Sequence, residues 1–197
     1  MYTNTFTNHL QLDEWHEDAD APDLAVPVGQ DDHVLGDPDA PVTLVQYGDY
    51  ECVSCFDAQS IVKTLLRHHA RQIRLVFRHF PQKSGNPRDS LAAQAAEAAG
   101  SQGKFWRMHD LLLRNRGIRD ETQLTHLALS AGLEVYRFNA ELASGQHEDR
   151  VRADFIGGVE SGVKRTPTFF VNGVRVPRIA SFNLLTSAVE RALECHA

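Results

Sequence analysis

Cys52 and Cys55, in the run Cys52-Val53-Ser54-Cys55, are the residues of this chain best equipped for chemistry. Two thiols at this spacing can close a small ring, so one can attack a disulfide and the other resolve the product. Their setting favours that use. The apolar stretch from Pro41 to Tyr47 reads as a strand, and Phe56 to His68 reads as a helix. A helix N-terminus gathers unpaired N–H groups and the positive end of the dipole, which favours a thiolate over a thiol. The thiolate is the nucleophile in exchange, so Cys52 stands where its reactivity is raised. Cys55 lies nearly one helical turn further on.

The same pair is open to a metal or iron–sulfur interpretation. A structural zinc site normally takes four ligands, and the chain has no second CxxC. None of its histidines falls at a convincing ligand spacing, so no metal ligand is assigned. His68-His69 closes a helix, where a cation is favoured without any metal. His79 follows a strand and is assigned a structural or surface role. Cys195, beside the C-terminus, is taken as an idle surface thiol.

A chain of 197 residues is long enough for one domain with a sizeable core, with room for an insertion. A formal net charge of −6 argues against a general nucleic-acid or anionic-membrane binder, because both need basic patches. No apolar run is long enough to span a bilayer. Met1 to Ala21 is polar and then acidic, without the basic start and apolar middle of a secretory signal. The expected location is therefore the cytoplasm. The cysteines number three, which is odd and too few for a disulfide framework. In a reducing compartment a CxxC pair is catalytic or metal-binding more often than structural.

The elements that must position the two thiols follow from the hydrophobic pattern. Residues 1–32 form an acidic arm, with Asp13-Glu14, Glu17-Asp18 and Asp20, and it is read as mobile or as packing on the domain edge. Phe6 and Trp15 are its candidate anchors. Asp37-Pro38-Asp39-Ala40-Pro41 is a turn into the first strand, whose Val42, Leu44 and Val45 suit a strand buried on both faces. Ala58, Ile61, Val62, Leu65 and Leu66 share one helical face. Ile73, Leu75, Val76 and Phe77 make a second strand, so this is a βαβ unit with parallel strands.

A long helical block follows. Ser90 to Ala99 is alanine-rich, and later apolar residues such as Phe105, Met108 and Leu112 recur at helical spacing between glycine breaks. These are core positions rather than a cofactor site. Thr168 to Val171 and Val174 to Val176 flank Asn172-Gly173, a hairpin signal. Phe182, Leu185 and Val189 line a last helix. The expected class is α/β, with a four-stranded mixed sheet, helices on it, and a helical subdomain inserted after Pro81.

Two separated features, the CxxC after the first strand and Thr166-Pro167 before the hairpin, resemble a thioredoxin fold. The helical insertion makes the chain similar to the DsbA-like branch. Phe77-Arg78-His79-Phe80-Pro81, Gly103-Lys104-Phe105-Trp106 and the run from Thr166 to Gly173 resemble other recurring segments of that branch. The resemblance divides the chain into a thioredoxin-like domain, 33–81 and 163–197, and an inserted helical subdomain, 82–162. It implies a thiol–disulfide oxidoreductase acting on protein or peptide thiols and disulfides, without a bound cofactor. A small thiol or a thioredoxin-type reductant is the implied redox partner; nucleic acid and membrane are not. Cys52 is the implied exposed nucleophile and Cys55 the buried resolving thiol. Pro167 is implied to be cis and to face the pair, with the backbone of Thr166 pairing with an extended substrate. A non-catalytic peptide-binding module on the same scaffold is the competing expectation.

The chain departs from the family pattern in three places. Val53-Ser54 replaces the more usual Pro-aromatic or Pro-His pair, so no histidine sits between the cysteines. Glu51 adds negative charge beside Cys52, which opposes thiolate formation. Gln46 stands where many relatives carry a buried acid, and an amide cannot act as a base for the resolving thiol. These departures predict a less oxidising enzyme than periplasmic relatives.

Overall fold

The computed structural model describes residues 23–82, 90–117, 120–177 and 183–195. The sheet is built from β1 (His33–Gly36), β2 (Val42–Gly48), β3 (Ile73–His79), β4 (Thr168–Val171) and β5 (Val174–Arg175), in the order β1-β3-β2-β4-β5. β2 and β3 are parallel, and Val42 lies opposite Ile73. α1 (Val53–His68) makes the crossover between them. β4 runs antiparallel to β2, and β5 antiparallel to β4 across Asn172-Gly173. α7 (Asn183–Glu194) ends the described chain.

The sheet has one strand more than the four expected. β1 pairs antiparallel with β3, His33 opposite Phe77. Four residues are too few to show a period, and His33–Gly36 becomes a strand because β3 offers it an open edge. Gly36 ends it at φ +111, and a Cβ there would lie 2.8 Å from the Ile73 carbonyl oxygen. α1 also starts three residues earlier than the apolar pattern indicates, at Val53 instead of Phe56.

Period two along the strands sorts side chains to the two faces. Val42, Leu44, Ile73, Leu75 and Phe169 pack with Ala58, Val62 and Leu65 of α1 and Leu185 and Val189 of α7. Val45, Tyr47, Val76 and Phe170 pack on the other face with Phe80 and Val163. Part of the acidic arm lies on the molecule. Leu24 N–H donates to the Gly173 carbonyl, and the buried Arg78 guanidinium binds the Val26 and Pro27 carbonyls and the Asp32 carboxylate. Residues 1–22, with Phe6 and Trp15, and also Phe182, lie outside the described residues.

Between β3 and β4 come α2 (Leu91–Gly100), α3 (Phe105–Arg114), α4 (Glu121–Ala131), α5 (Val135–Ser144) and α6 (Glu148–Glu160). α2 is buried from Ala93 to Ala99, because small side chains let it run through the middle of the other helices. Its alanines pack with Phe105, Met108, Leu112, Leu124 and Phe138, and this cluster extends to Tyr50, Cys55 and Phe77. The CxxC thus lies where the sheet meets the helical block. Among the described residues no helix is long and apolar enough to cross a membrane.

Candidate active site

Three connections converge on the two thiols: the exit of β2, the first turn of α1 and the segment leading into β4. Cys52 is the N-cap residue of α1, with extended backbone at φ −80 and ψ 122. Its N–H donates to the Asp49 carbonyl at 3.1 Å. Its side chain is half-buried, and the thiol donates to the Thr166 carbonyl oxygen at 3.2 Å. Cys55, in the first turn, is fully buried. The Thr166–Pro167 peptide bond is cis. The structure therefore brings together Cys52, Cys55 and the Thr166–Pro167 segment, across more than a hundred residues of sequence. Cys195 is an exposed free thiol.

The environments of the two thiols pull their acidities apart. The Cys52 thiol is lowered to about 6. A hydrogen bond from Cys55 contributes most, burial opposes it, and the Thr166 side chain and the N–H groups of Cys55 and Ser54 add to the lowering. The Cys55 thiol is pushed far above the usual thiol range by that same hydrogen bond, by burial and by the charge on Cys52. Cys55 keeps its proton, and that proton stabilises the Cys52 thiolate. No histidine is needed between the cysteines for this effect.

Two further residues complete the rim. Asp49 is buried, and its carboxylate accepts the Glu51 N–H at 2.9 Å and the Gln82 N–H at 3.1 Å. The Gln82 side chain then reaches the Thr166 segment, where Oε1 accepts the Thr166 N–H at 3.3 Å and Nε2 donates to the Lys164 carbonyl at 2.9 Å. Gln82 belongs to no motif and carries no periodic signal, so sequence reasoning had no handle on it. Gln46 is buried in β2 opposite Phe169 and Phe77.

Behind the thiols lies a second polar group. Tyr50 is buried, and its hydroxyl is hydrogen-bonded to Nδ1 of His109 at 3.2 Å. Glu97 sits between two imidazoles, with His33 Nε2 at 2.9 Å and His79 Nε2 at 2.8 Å. Burial works to raise the Glu97 carboxyl, but the two histidines hold it well below the usual carboxylate range. Burial lowers His109 to about 3, helped by the nearby His79, Lys63 and His33. His79 is thus a buried partner of Glu97. His79, Glu97 and Asp154 also bring ligand-type atoms within 4.8 Å of one another, the one such group among the described residues, and neither thiol is in it. Those groups have other partners: His79 Nε2 pairs with Glu97, while Asp154 accepts the His79 backbone N–H at 3.0 Å and pairs with Arg150 at 2.9 Å.

The thioredoxin family profile matches residues 29–191, and the chain belongs to that family. Its fold is DsbA-like. Oxidised BdbD of Bacillus subtilis superposes with a TM-score of 0.77 at 24% identity, covering 88% of this chain and 97% of that one. A thioredoxin-like oxidoreductase from Silicibacter pomeroyi superposes with a TM-score of 0.73 at 29% identity, covering 84% and 94%. The Na(+)/H(+) antiporter NhaA 1 of Salinispora arenicola is 44% identical over 171 residues, which are 86% of this chain and 26% of the antiporter. The chain spans about a quarter of the length of the curated relatives it matches.

Proposed function

We propose that this chain is a thiol–disulfide oxidoreductase that exchanges disulfides with protein or peptide substrates through Cys52 and Cys55. The observation that carries this reading is the opposed acidity of two thiols one helical turn apart, one half-exposed and one buried. The Cys52 thiolate attacks one sulfur of a substrate disulfide. A mixed disulfide forms, and the other substrate sulfur leaves as a thiolate and takes up a proton. Cys52 has then lost its charge, which removes one of the influences that hold Cys55 protonated. Cys55 gives up its proton and attacks the Cys52 sulfur. The Cys52–Cys55 disulfide forms, the second substrate thiol is released, and two electrons have passed to the substrate. The reverse sequence oxidises a substrate dithiol.

Thr166 and Pro167 supply the substrate-binding edge in this proposal. An extended peptide laid along that segment would bring its sulfur to Cys52, using the strand-addition mode of recognition. A cytoplasmic location belongs to the same reading and rests on cysteine usage, three residues being odd and too few for a disulfide framework. Labelling of Cys52 in intact cells by a membrane-impermeant maleimide would overturn that location. Antiport is not part of the proposed activity.

The test is a redox titration of the protein against glutathione, read by alkylation and mass. One reversible two-electron transition confined to Cys52 and Cys55 is expected. A thiol lowered to about 6 lies between thioredoxin at about 7 and DsbA at about 3.5. The expected midpoint lies on the reducing side of the strong oxidant value of about −120 mV. A midpoint at the oxidising end would contradict the less oxidising character. Absence of any transition would favour the peptide-binding module, and metal released on unfolding would favour a metal site.

A further inference from the structure

We propose that the groove between the C-terminal half of α1 and the edge strand β1 is a docking site for the chain's own acidic N-terminal segment, residues 1–22. The proposal goes beyond the thiol chemistry. Cys52 and Cys55 stand at the start of α1, and the groove lies toward the far end of this 16-residue helix.

The groove has a volume of about 630 Å³. Its apolar wall includes Leu35, Leu66 and Ile73. Its rim carries Lys63, Arg67 and Arg71, four residues apart along α1 and into the turn after it, and no carboxylate is among its lining residues. Lys63 is bound by Asp110. Arg67 and Arg71 are exposed, and among the described residues neither pairs with a carboxylate. A chain of formal net charge −6 therefore carries a local excess of positive charge around an apolar trough.

Such a trough fits a segment with large apolar side chains set among carboxylates. Residues 1–22 have that composition. Leu10, Leu12 and Trp15 are interleaved with Asp13, Glu14, Glu17, Asp18 and Asp20, and the segment has no lysine or arginine.

It is also attached near the groove. The Asp23 carboxylate accepts the Arg175 N–H at 3.2 Å, and Leu24 N–H donates to the Gly173 carbonyl at 2.9 Å. Beside Gly173, Asn172 N–H donates to the Thr43 carbonyl. Thr43 lies opposite Arg74 in β3, and Arg74 lies opposite Gly36 of β1, which lines the groove. The attachment point and the groove thus share one row across the sheet, three strand spacings or about 15 Å apart. An extended chain covers about 3.3 Å per residue, so about five residues bridge that distance. Residues 16–22 lie between Trp15 and the attachment at Asp23, which leaves slack. Tethering of this kind raises the effective concentration to about the millimolar range, so ion pairs that are individually weak suffice.

Trp15 reports the docking. The chain has two tryptophans, so the difference between the emission of the unsubstituted protein and that of Trp15→Phe isolates Trp15. Its emission is expected at shorter wavelength than that of a synthetic peptide of residues 1–22, with acrylamide quenching severalfold weaker. Arg67→Glu combined with Arg71→Glu is expected to shift the emission to the peptide's wavelength and to raise quenching severalfold. Added NaCl acts in the same direction, because exposed charges are screened. Arg71 sits at φ 70, so if the double variant does not fold, Arg67→Glu alone decides, with the same shift expected at smaller amplitude. Arg152→Glu makes the same charge change on the exposed side of α6 and should leave both readings unmoved.

Peptide-like Trp15 emission in the unsubstituted protein overturns the proposal. So does protection that survives the charge reversals at the groove, or that Arg152→Glu removes equally well. Protection lost on dilution gives the groove to the segment of a second copy and overturns docking within one chain.

Discussion

Two polar regions meet at the CxxC, and they are built on opposite plans. The rim holds Cys52, Thr166, Gln82 and Asp49, with Cys52 half-exposed and its thiol brought to about 6. The group behind it holds Tyr50, His109, His79, His33 and Glu97, stacked among Phe77, Phe105 and Trp106. In that group one carboxylate is shared between two imidazoles, and His109 is driven far from neutral pH. Density of polar groups is therefore not what makes a reactive site. The rim has a group poised near neutral pH. The interior group has partners that hold it in one state, and its contribution is to stability.

Cys52→Ser and Cys55→Ser separate the roles most sharply. Cys52→Ser is expected to abolish exchange with a disulfide-bonded protein substrate. Cys55→Ser leaves the attacking thiol and should accumulate mixed disulfides, visible by mass. Disulfide exchange that survives both substitutions together would remove the rim from the chemistry.

Glu97→Ala is the counterpart in the interior. It leaves two imidazoles facing a space without their shared carboxylate. Breaking such a buried pair costs about 3–5 kcal/mol, to be read from urea unfolding. The Cys52 alkylation midpoint should stay close to its value in the unsubstituted protein. A large midpoint shift in this variant would show the two regions acting as one.

Acid stability gives the next largest effect. His109 stays neutral in the folded chain down to about 3, whereas an unfolded histidine takes up its proton near 6.5. Between these values the unfolded chain binds more protons, so stability rises with pH. His109 thus contributes stability that is full above about 6.5 and is lost as pH falls toward about 3. The depressed Glu97 carboxyl acts in the same direction, its contribution being lost below the unfolded carboxylate range. Urea unfolding at a series of pH values should show the decline, and His109→Phe should flatten it between 6.5 and 3. An unchanged slope would count against a neutral buried imidazole.

The smallest expected effect belongs to Glu51. Glu51→Gln removes negative charge beside Cys52 and should lower its midpoint slightly, raising thiolate by about twofold at low ionic strength. Added salt should erase the difference, since exposed charges are screened.

Much of this molecule was legible in one dimension. The parallel βαβ unit follows from apolar runs at strand and helix length, and the hairpin follows from Asn172-Gly173. Cys52 and Cys55 stand out as candidates by type and spacing alone. β1 did not show, because four residues carry no period and its pairing depends on an edge supplied forty residues later. Glu97 did not show either. A lone acid in an alanine-rich helix looks like a solvated residue until His33 and His79 arrive from two strands.

By itself the sequence determined which atoms could react, and which segments must be strands and helices, since those properties are local: side-chain chemistry and hydrophobic period. Only the tertiary structure decided how acidic each thiol is and what stands beside it. Those depend on burial, on the hydrogen bond between the two thiols and on the Thr166 carbonyl, which chain folding alone brings to the Cys52 sulfur.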